Sequence, residues 1–378
     1  MTNIKGIKQI KEFKSMKKTL VLLTAVIMVA ACLSSCAKKD KVNIGLILTE
    51  KSMIDDGTFN QSAYEGIQMY AQNNDVIYKY YQPENKSEEF YLKAVEMAVN
   101  EGVSVLVTPG YDFATTVFIS QELYPQVHFI LIDSIPNNGR FGGDDFEEKI
   151  AANTYSVLFA DEQAGFLAGY AIVKDGFRSL GFLGGRAISA VVSYGYGFIQ
   201  GADFAARELG LAPGEVTIKY DYTGDFVATI EAQSKASSWY NDGVEVIFAC
   251  GGSMGFSVMQ AAQSMESKWV IGVDADQSGD SPTIITSALK MIARSVYLAI
   301  ESFYQDDFPG GQSRFLGTDV GGSGLEMKNA RFRSFSPADY EKILNKLATN
   351  ENGIATSIIK DMGVRPSELP YEYVIVEN

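Results

Sequence analysis

The stretch that decides the fold is Val103-Ser104-Val105-Leu106-Val107-Thr108, followed by Asp112–Leu123 and then by Val127-His128-Phe129-Ile130-Leu131-Ile132. The outer segments are apolar, β-branched runs of strand length, and the middle one carries apolar residues at helical spacing. Pro109-Gly110 punctuates the first boundary. A strand, a helix and a strand joined this closely make a right-handed crossover, so the two strands lie parallel and the helix covers one face of their sheet. Working outward, the alternation continues in both directions. Strands are expected at Val42–Leu48, Val76–Tyr81, Thr154–Phe159, Ser179–Leu183, Glu215–Tyr220, Val244–Ala249 and Trp269–Val273. The helices expected besides Asp112–Leu123 are Asn60–Gln72, Glu88–Asn100, Asp161–Lys174, Val191–Leu209, Phe226–Asn241, Gly255–Met265 and Ser287–Tyr304. The fold class is therefore α/β with parallel sheets covered by helices, and ligands of such sheets bind beyond the carboxyl ends of the strands.

At 378 residues the chain exceeds what one core usually serves, which points to two lobes. Pro136–Arg140, Gln277–Pro282 and Gly321–Gly324 punctuate the series and are the expected crossings between them. This divides the chain into residues 42–135 with about 282–320 as a first lobe, and 136–281 with about 321–378 as a second. Three crossing strands would form a hinge. A strand around Arg314–Leu316 completes a sheet, while the apolar Tyr371–Val376 reads equally well as a last strand or as a packing tail.

Residues 1–35 read as a lipoprotein leader. Met16-Lys17-Lys18 supplies the positive start, Thr19–Ala31 an apolar run too short to span a membrane permanently, and Leu33-Ser34-Ser35-Cys36 the cleavage motif. Met1–Ser15 read as the product of an upstream start. Cys36 is the expected lipidation site, with 36–41 as a tether, and several acyl chains there would anchor the protein on the extracytoplasmic face of the cell membrane. The leader carries six lysines and one glutamate, hence +5, so its loss takes the net charge from −14 to −19. So acidic a body disfavours nucleic acid and anionic lipid as partners, because phosphate contact needs clustered Lys and Arg. Of the three cysteines, Cys32 leaves with the leader and Cys36 is modified, so Cys250 stands alone as an expected buried thiol. His128 is the only histidine and sits at a strand entrance, which reads as structural. A single imidazole disfavours Ser-His-Asp, Cys-His and His-rich zinc chemistry. Neither a Walker loop nor G-x-G-x-x-G follows the first strand, and no cofactor or metal is expected.

Five stretches, in order, resemble the basic membrane protein family of substrate-binding lipoproteins. They are Asp55–Gly66 (DDGTFNQSAYEG), Ala164–Gly169 (AGFLAG), Gly181–Gly185 (GFLGG), Ala249–Ser253 (ACGGS) and Ile271–Gln277 (IGVDADQ). The first and last are specific together; G-F-x-G-G alone is weak. The resemblance implies a type I periplasmic-binding fold of two Rossmann-like lobes with a three-strand hinge, no enzymatic chemistry, a nucleoside ligand of the purine class, and an ABC permease as partner. Alternatives are a receptor for a sugar or another small polar ligand, and a sensory binding protein with the same cleft.

The resemblance assigns Phe59 to stacking on a base and Asn60 to its edge, where a ring face and an amide suit a purine. Their plain structural roles would be a hydrophobic staple and a helix cap. Asp56 matches the acidic position of the motif, with Asp55 replacing the usual Asn; an Asx turn is its alternative. Asp133 and Asp274 end strands and are implied to accept from the base and the ribose, against a reading as solvated turn carboxylates. Lys290 is implied to reach a ribose hydroxyl or Asp274, against a solvated charge on a helix face. Tyr194, three residues before Gly197-Phe198-Ile199-Gln200-Gly201, stands where the family more often has Phe, and would be the second aromatic wall. Gly251 and Gly252 would offer backbone N–H groups to the ribose, or simply make a tight βα turn.

Overall fold

The computed structural model describes residues 42–49 and 53–377. The leader, the tether and Cys36 lie outside the described residues. The first lobe begins with β1 (Ile44–Ile47), α1 (Phe59–Asn74), β2 (Tyr78–Tyr81), α2 (Glu88–Asn100), β3 (Val105–Pro109), α3 (Ala114–Leu123), β4 (His128–Ile132) and β5 (Thr154–Phe159). The chain crosses at Ala160 into α4 (Asp161–Lys174), β6 (Ser179–Gly184), α5 (Ser189–Leu209), β7 (Val216–Tyr222), α6 (Ile230–Asn241), β8 (Val246–Cys250), α7 (Met254–Gln263), β9 (Trp269–Asp274) and β10 (Ile284–Lys290). It returns at Met291 for α8 (Ile292–Tyr304) and β11 (Gln312–Leu316). Residues 317–322 carry it back to β12 (Ser323–Leu325), α9 (Pro337–Ala348) and β13 (Val374–Glu377).

The sheets run β11-β5-β4-β3-β1-β2 and β12-β10-β9-β8-β6-β7-β13. The first is parallel throughout. In the second, only the β10–β12 pair is antiparallel. Strand periodicity explains the covering helices. Ile44 and Leu46, Val105 and Val107, Ile130 and Ile132 face one way, onto α1 and α8, while Ile47, Leu106, Phe129 and Leu131 face the other, onto α2 and α3. Burying each such side chain contributes about 1.5–3 kcal/mol against leaving it exposed.

The expected lobe boundaries need correction. Thr154–Phe159 was assigned to the second lobe, but β5 pairs with β4 and β11 in the first sheet, so the first crossing lies at Ala160 rather than near Pro136–Arg140. Likewise Ser287–Lys290 is not helical. These residues end β10, which pairs with β9, and the second crossing is Met291, past Gln277–Pro282. The third crossing falls close to the expected glycines. The apolar carboxyl-terminal segment is a strand, with β13 parallel to β7.

Helices α4 and α5 touch backbone to backbone. A Cβ on Gly165 would stand 2.1 Å from the Tyr194 carbonyl oxygen, one on Gly169 2.0 Å from that of Phe198, and those on Gly197 and Gly201 2.0 Å from Glu162 and Phe166 oxygens. Four glycines at i, i+4 spacing on two helices thus set the height of Tyr194 and Asp161 in the second lobe.

Candidate functional site

A cavity of about 290 Å³ lies between the carboxyl ends of the two sheets. The turn after β1 supplies its first wall. Asp56 is buried, and its Oδ1 accepts from the N–H groups of Thr58 (3.0 Å) and Gln61 (3.1 Å). Its Oδ2 accepts from Asn60 N–H (3.1 Å) and Asn60 Nδ2 (2.8 Å). The cap of α1 is therefore the Asp56 carboxylate, through an Asx turn, and not Asn60. Because a carboxylate only accepts, the contact fixes which way the Asn60 amide points and leaves its Oδ1 without a hydrogen bond among the described residues, on a side chain that lines the cavity. Phe59 lines the cavity beside it.

Asp133 and Asp274 occupy equivalent places, just past or at the end of β4 and β9. Both adopt left-handed backbone, φ 61° and 66°, a conformation that Asp tolerates better than most residues. Neither is a solvated turn residue: their side chains are each 10% exposed. Lys290 is 2% exposed at the end of β10, so it is no charge on a helix face. Its ammonium donates to Asp133 Oδ2 at 2.6 Å and stands 3.0 Å from Asp161 and 3.9 Å from Asp274. The rings of Phe59, Phe159 and Tyr194 surround it, each centroid 5.4 Å away.

Three carboxylates around one ammonium cannot all stay ionised without cost. Burial alone would pull Lys290 down, but Asp133, Asp161 and Asp274 together hold it above the ordinary lysine range and therefore charged. Burial pushes Asp274 up to about 6, with Lys290 opposing and Asp133 and Asp56 adding to the rise. Burial also pushes Asp161 up, with the adjacent Lys290 ammonium opposing the rise.

Tyr194 is 2% exposed, with its hydroxyl donating to Asp274 Oδ1 at 3.2 Å. It is the floor beneath Asp274 more than a wall. The partly exposed aromatic that the second lobe gives to the cavity is Phe226, which packs on Gly185 and lies under the Arg186 guanidinium at 5.3 Å. Arg186 also donates to the Tyr111 hydroxyl of the first lobe at 3.0 Å, bridging the mouth. Gly251 and Gly252 both line the cavity. A Cβ on Gly251 would meet the Gly185 backbone at 2.9 Å, and Gly252 has φ 55°, so both also serve the tight turn after β8.

Sequence reasoning missed Asp161, Arg186, Tyr111 and Phe226. Asp161 was visible as an acidic first helical residue one position after a strand, and Arg186 as the first side chain after Gly184-Gly185. His128 lies away from the cavity between Phe303 and Phe308, and burial lowers its pKa. Cys250 is a buried free thiol at the cavity wall, pushed well up by burial. Among the described residues no cluster of His, Cys, Asp and Glu is arranged to hold a metal ion.

The family described as "ABC transporter substrate-binding protein PnrA-like" matches residues 41–361. The chain belongs to this family. It is a substrate-binding protein of an ABC transporter, and the family works outside the cytoplasm. The ABC transporter nucleoside-binding protein BmpA of Lactococcus lactis subsp. cremoris is 25% identical over 83% of this chain and 93% of its own length. Basic membrane protein D of Borreliella burgdorferi is 27% identical over 96% and 98%. Among solved structures, an ABC transporter solute-binding protein from Aeropyrum pernix K1 superposes with TM-score 0.65 at 22% identity, covering 82% of this chain and 86% of that one. A transcriptional activator of the comK gene from Bacillus halodurans gives 0.62 at 20% identity, over 82% and 98%. These last two share the fold, which is the type I periplasmic-binding architecture. No helix among the described residues is long and apolar enough to cross a membrane.

Proposed function

We propose that the protein captures a nucleoside of the purine class in the interlobe cavity and presents it to an ABC permease, while a lipid on Cys36 holds it at the membrane. The observation that carries this reading is the polarity of the inner cavity. Among the described residues Asn60 Oδ1, Asp133 Oδ1 and Asp274 Oδ2 make no hydrogen bond, and an amide oxygen and an ionised carboxylate can only accept. The matching ligand is rich in donors and carries no negative charge, as base N–H groups and ribose hydroxyls are. Phe59 from one lobe and Phe226 from the other add apolar ring surface that a base uses and a free sugar uses less. The relative named as nucleoside-binding supports the same choice.

In this reading Asn60 and Asp133 take the base edge, and Asp274 and Lys290 the ribose. Gly251 and Gly252 let the backbone approach, and Asp56 and Tyr194 act through Asn60 and Asp274. Closure follows from better ligand contacts in the closed form, which shift the population of lobe arrangements. Calorimetric titration with inosine, guanosine, adenosine, cytidine and ribose tests it. Tight binding of purine nucleosides with little response to ribose is expected. Ribose binding as tightly as inosine would replace the reading with a sugar receptor, and silence toward every nucleoside would remove the ligand assignment.

A further inference from the structure

Asp161 is not among the residues that line the cavity, yet it is one of the most deeply buried acidic side chains among the described residues, 7% exposed, with its Oδ1 lacking a well-aligned hydrogen-bond partner. It follows the crossing residue Ala160 directly, and Lys290 directly precedes the crossing residue Met291. The 3.0 Å contact between their charged ends therefore ties the first crossing to the second. Backbone bonds tie both to the third: Ala160 N–H donates to Leu316 O at 3.0 Å and Met291 N–H to Gly322 O at 2.9 Å. Gln163 Oε1 adds bonds from Thr318 N–H and hydroxyl at 2.9 and 2.7 Å.

The partners of Lys290 thus fall into two kinds. Asp133 belongs to the opposite lobe, so rotation about the hinge changes its distance. Asp161 sits on the hinge itself, at the pivot, where rotation moves it least. We infer that Asp161 is a positioning residue for the ligand site, holding the Lys290 ammonium at the pivot so that Asp133 meets it on closure and Asp133 Oδ1 and Asp274 Oδ2 stay open to ligand. Its close packing against α5 through Gly165 and Gly197 keeps that carboxylate from following the ligand. The ligand half of this inference rests on the nucleoside reading; the ion-pair half does not.

The test uses the full chain in detergent as four proteins: wild type, Asp161→Asn, Lys290→Met and the double variant. In ligand-free thermal unfolding, Lys290→Met leaves Asp161 as a buried carboxylate without a counter-charge, so adding Asp161→Asn should raise Tm by several degrees over Lys290→Met alone. If Asp161 acts only as an acidic residue at a helix start, Asp161→Asn lowers Tm equally in both backgrounds, and the inference fails. With inosine as probe, Asp161→Asn should weaken binding about tenfold or more while remaining folded, because the released ammonium turns to the acceptors the ligand needs. Unchanged inosine affinity in Asp161→Asn, beside a wild type that binds, overturns the positioning role and leaves the proposed function standing. A wild type that binds no nucleoside overturns the proposed function, and the thermal cycle still decides whether Asp161 holds Lys290.

Discussion

The cleft is bridged at its two ends by different chemistry. At the inner end Lys290 reaches Asp133 across the lobes with both side chains at or below 10% exposure, whereas at the mouth Arg186 reaches Tyr111 with the guanidinium side chain 31% exposed and a loose Asp225 partner at 3.4 Å. Both are cations donating across the same gap. Charge interactions strengthen as the effective dielectric falls from water toward the interior, and salt screens the exposed pair far more than the buried one. The inner pair is therefore expected to determine whether ligand is held, and the outer pair how quickly it leaves.

The largest effect that would break this contrast comes from the acceptors. Asp133→Ala and Asn60→Ala should each lower nucleoside affinity about 100-fold, roughly 2.7 kcal/mol, measured by titration calorimetry. Equal losses from Arg186→Ala would erase the distinction between the two ends. Next, Gly165→Ala tests whether the inner end rests on a rigid helix pair. Its Cβ would meet backbone at 2.1 Å, so we expect destabilisation of about 3 kcal/mol and a Tm fall on the order of 10 °C.

A pH series sharpens the electrostatic half. Asp274 has a folded pKa raised from 3.8 to about 6, so its stabilising contribution is complete below the lower value and is lost as pH rises through the upper one. Asp274→Asn, which removes that titration, should gain stability over wild type between pH 4 and pH 6 and hold the gain above it, about 3 kcal/mol. Absence of any pH trend in the Tm difference would mean that Asp274 is solvated. Ligand hydroxyls donating to Asp274 favour its ionised form, so affinity should fall as pH drops below about 6. The smallest effect belongs to the mouth: Arg186→Ala should cost only a few-fold in affinity, about 1 kcal/mol, appearing mainly as faster dissociation in stopped-flow traces.

Much of the site was legible because it sits at strand ends, where alternation of strand and helix already places the cleft. Asp56, Phe59, Asn60, Asp133 and Asp274 all follow strands, and the cavity gathers them. Tyr194 was legible as a position but not as a role, since its hydroxyl bond to Asp274 and its 2% exposure depend on α5 pressing against α4. Phe226 was read as the start of a helix, whereas α6 begins at Ile230 and leaves Phe226 in the loop that lines the cavity.

The sequence by itself determined the parallel α/β class, the number of lobes and the residues standing at the carboxyl ends of the strands, because the periodicities of two and 3.6 are local properties of a chain burying one face of each element. Only the tertiary structure decided which sheet each strand joins. Thr154–Phe159 is as apolar as a strand of either lobe, and its place in the first sheet comes from pairing with His128–Ile132 on one side and with Gln312–Leu316, far along the chain, on the other. The burial of Lys290 was decided in the same way. A lysine after an apolar run reads as solvent-facing until two crossings and three aspartates are brought to one point, where their charges offset the cost of removing it from water.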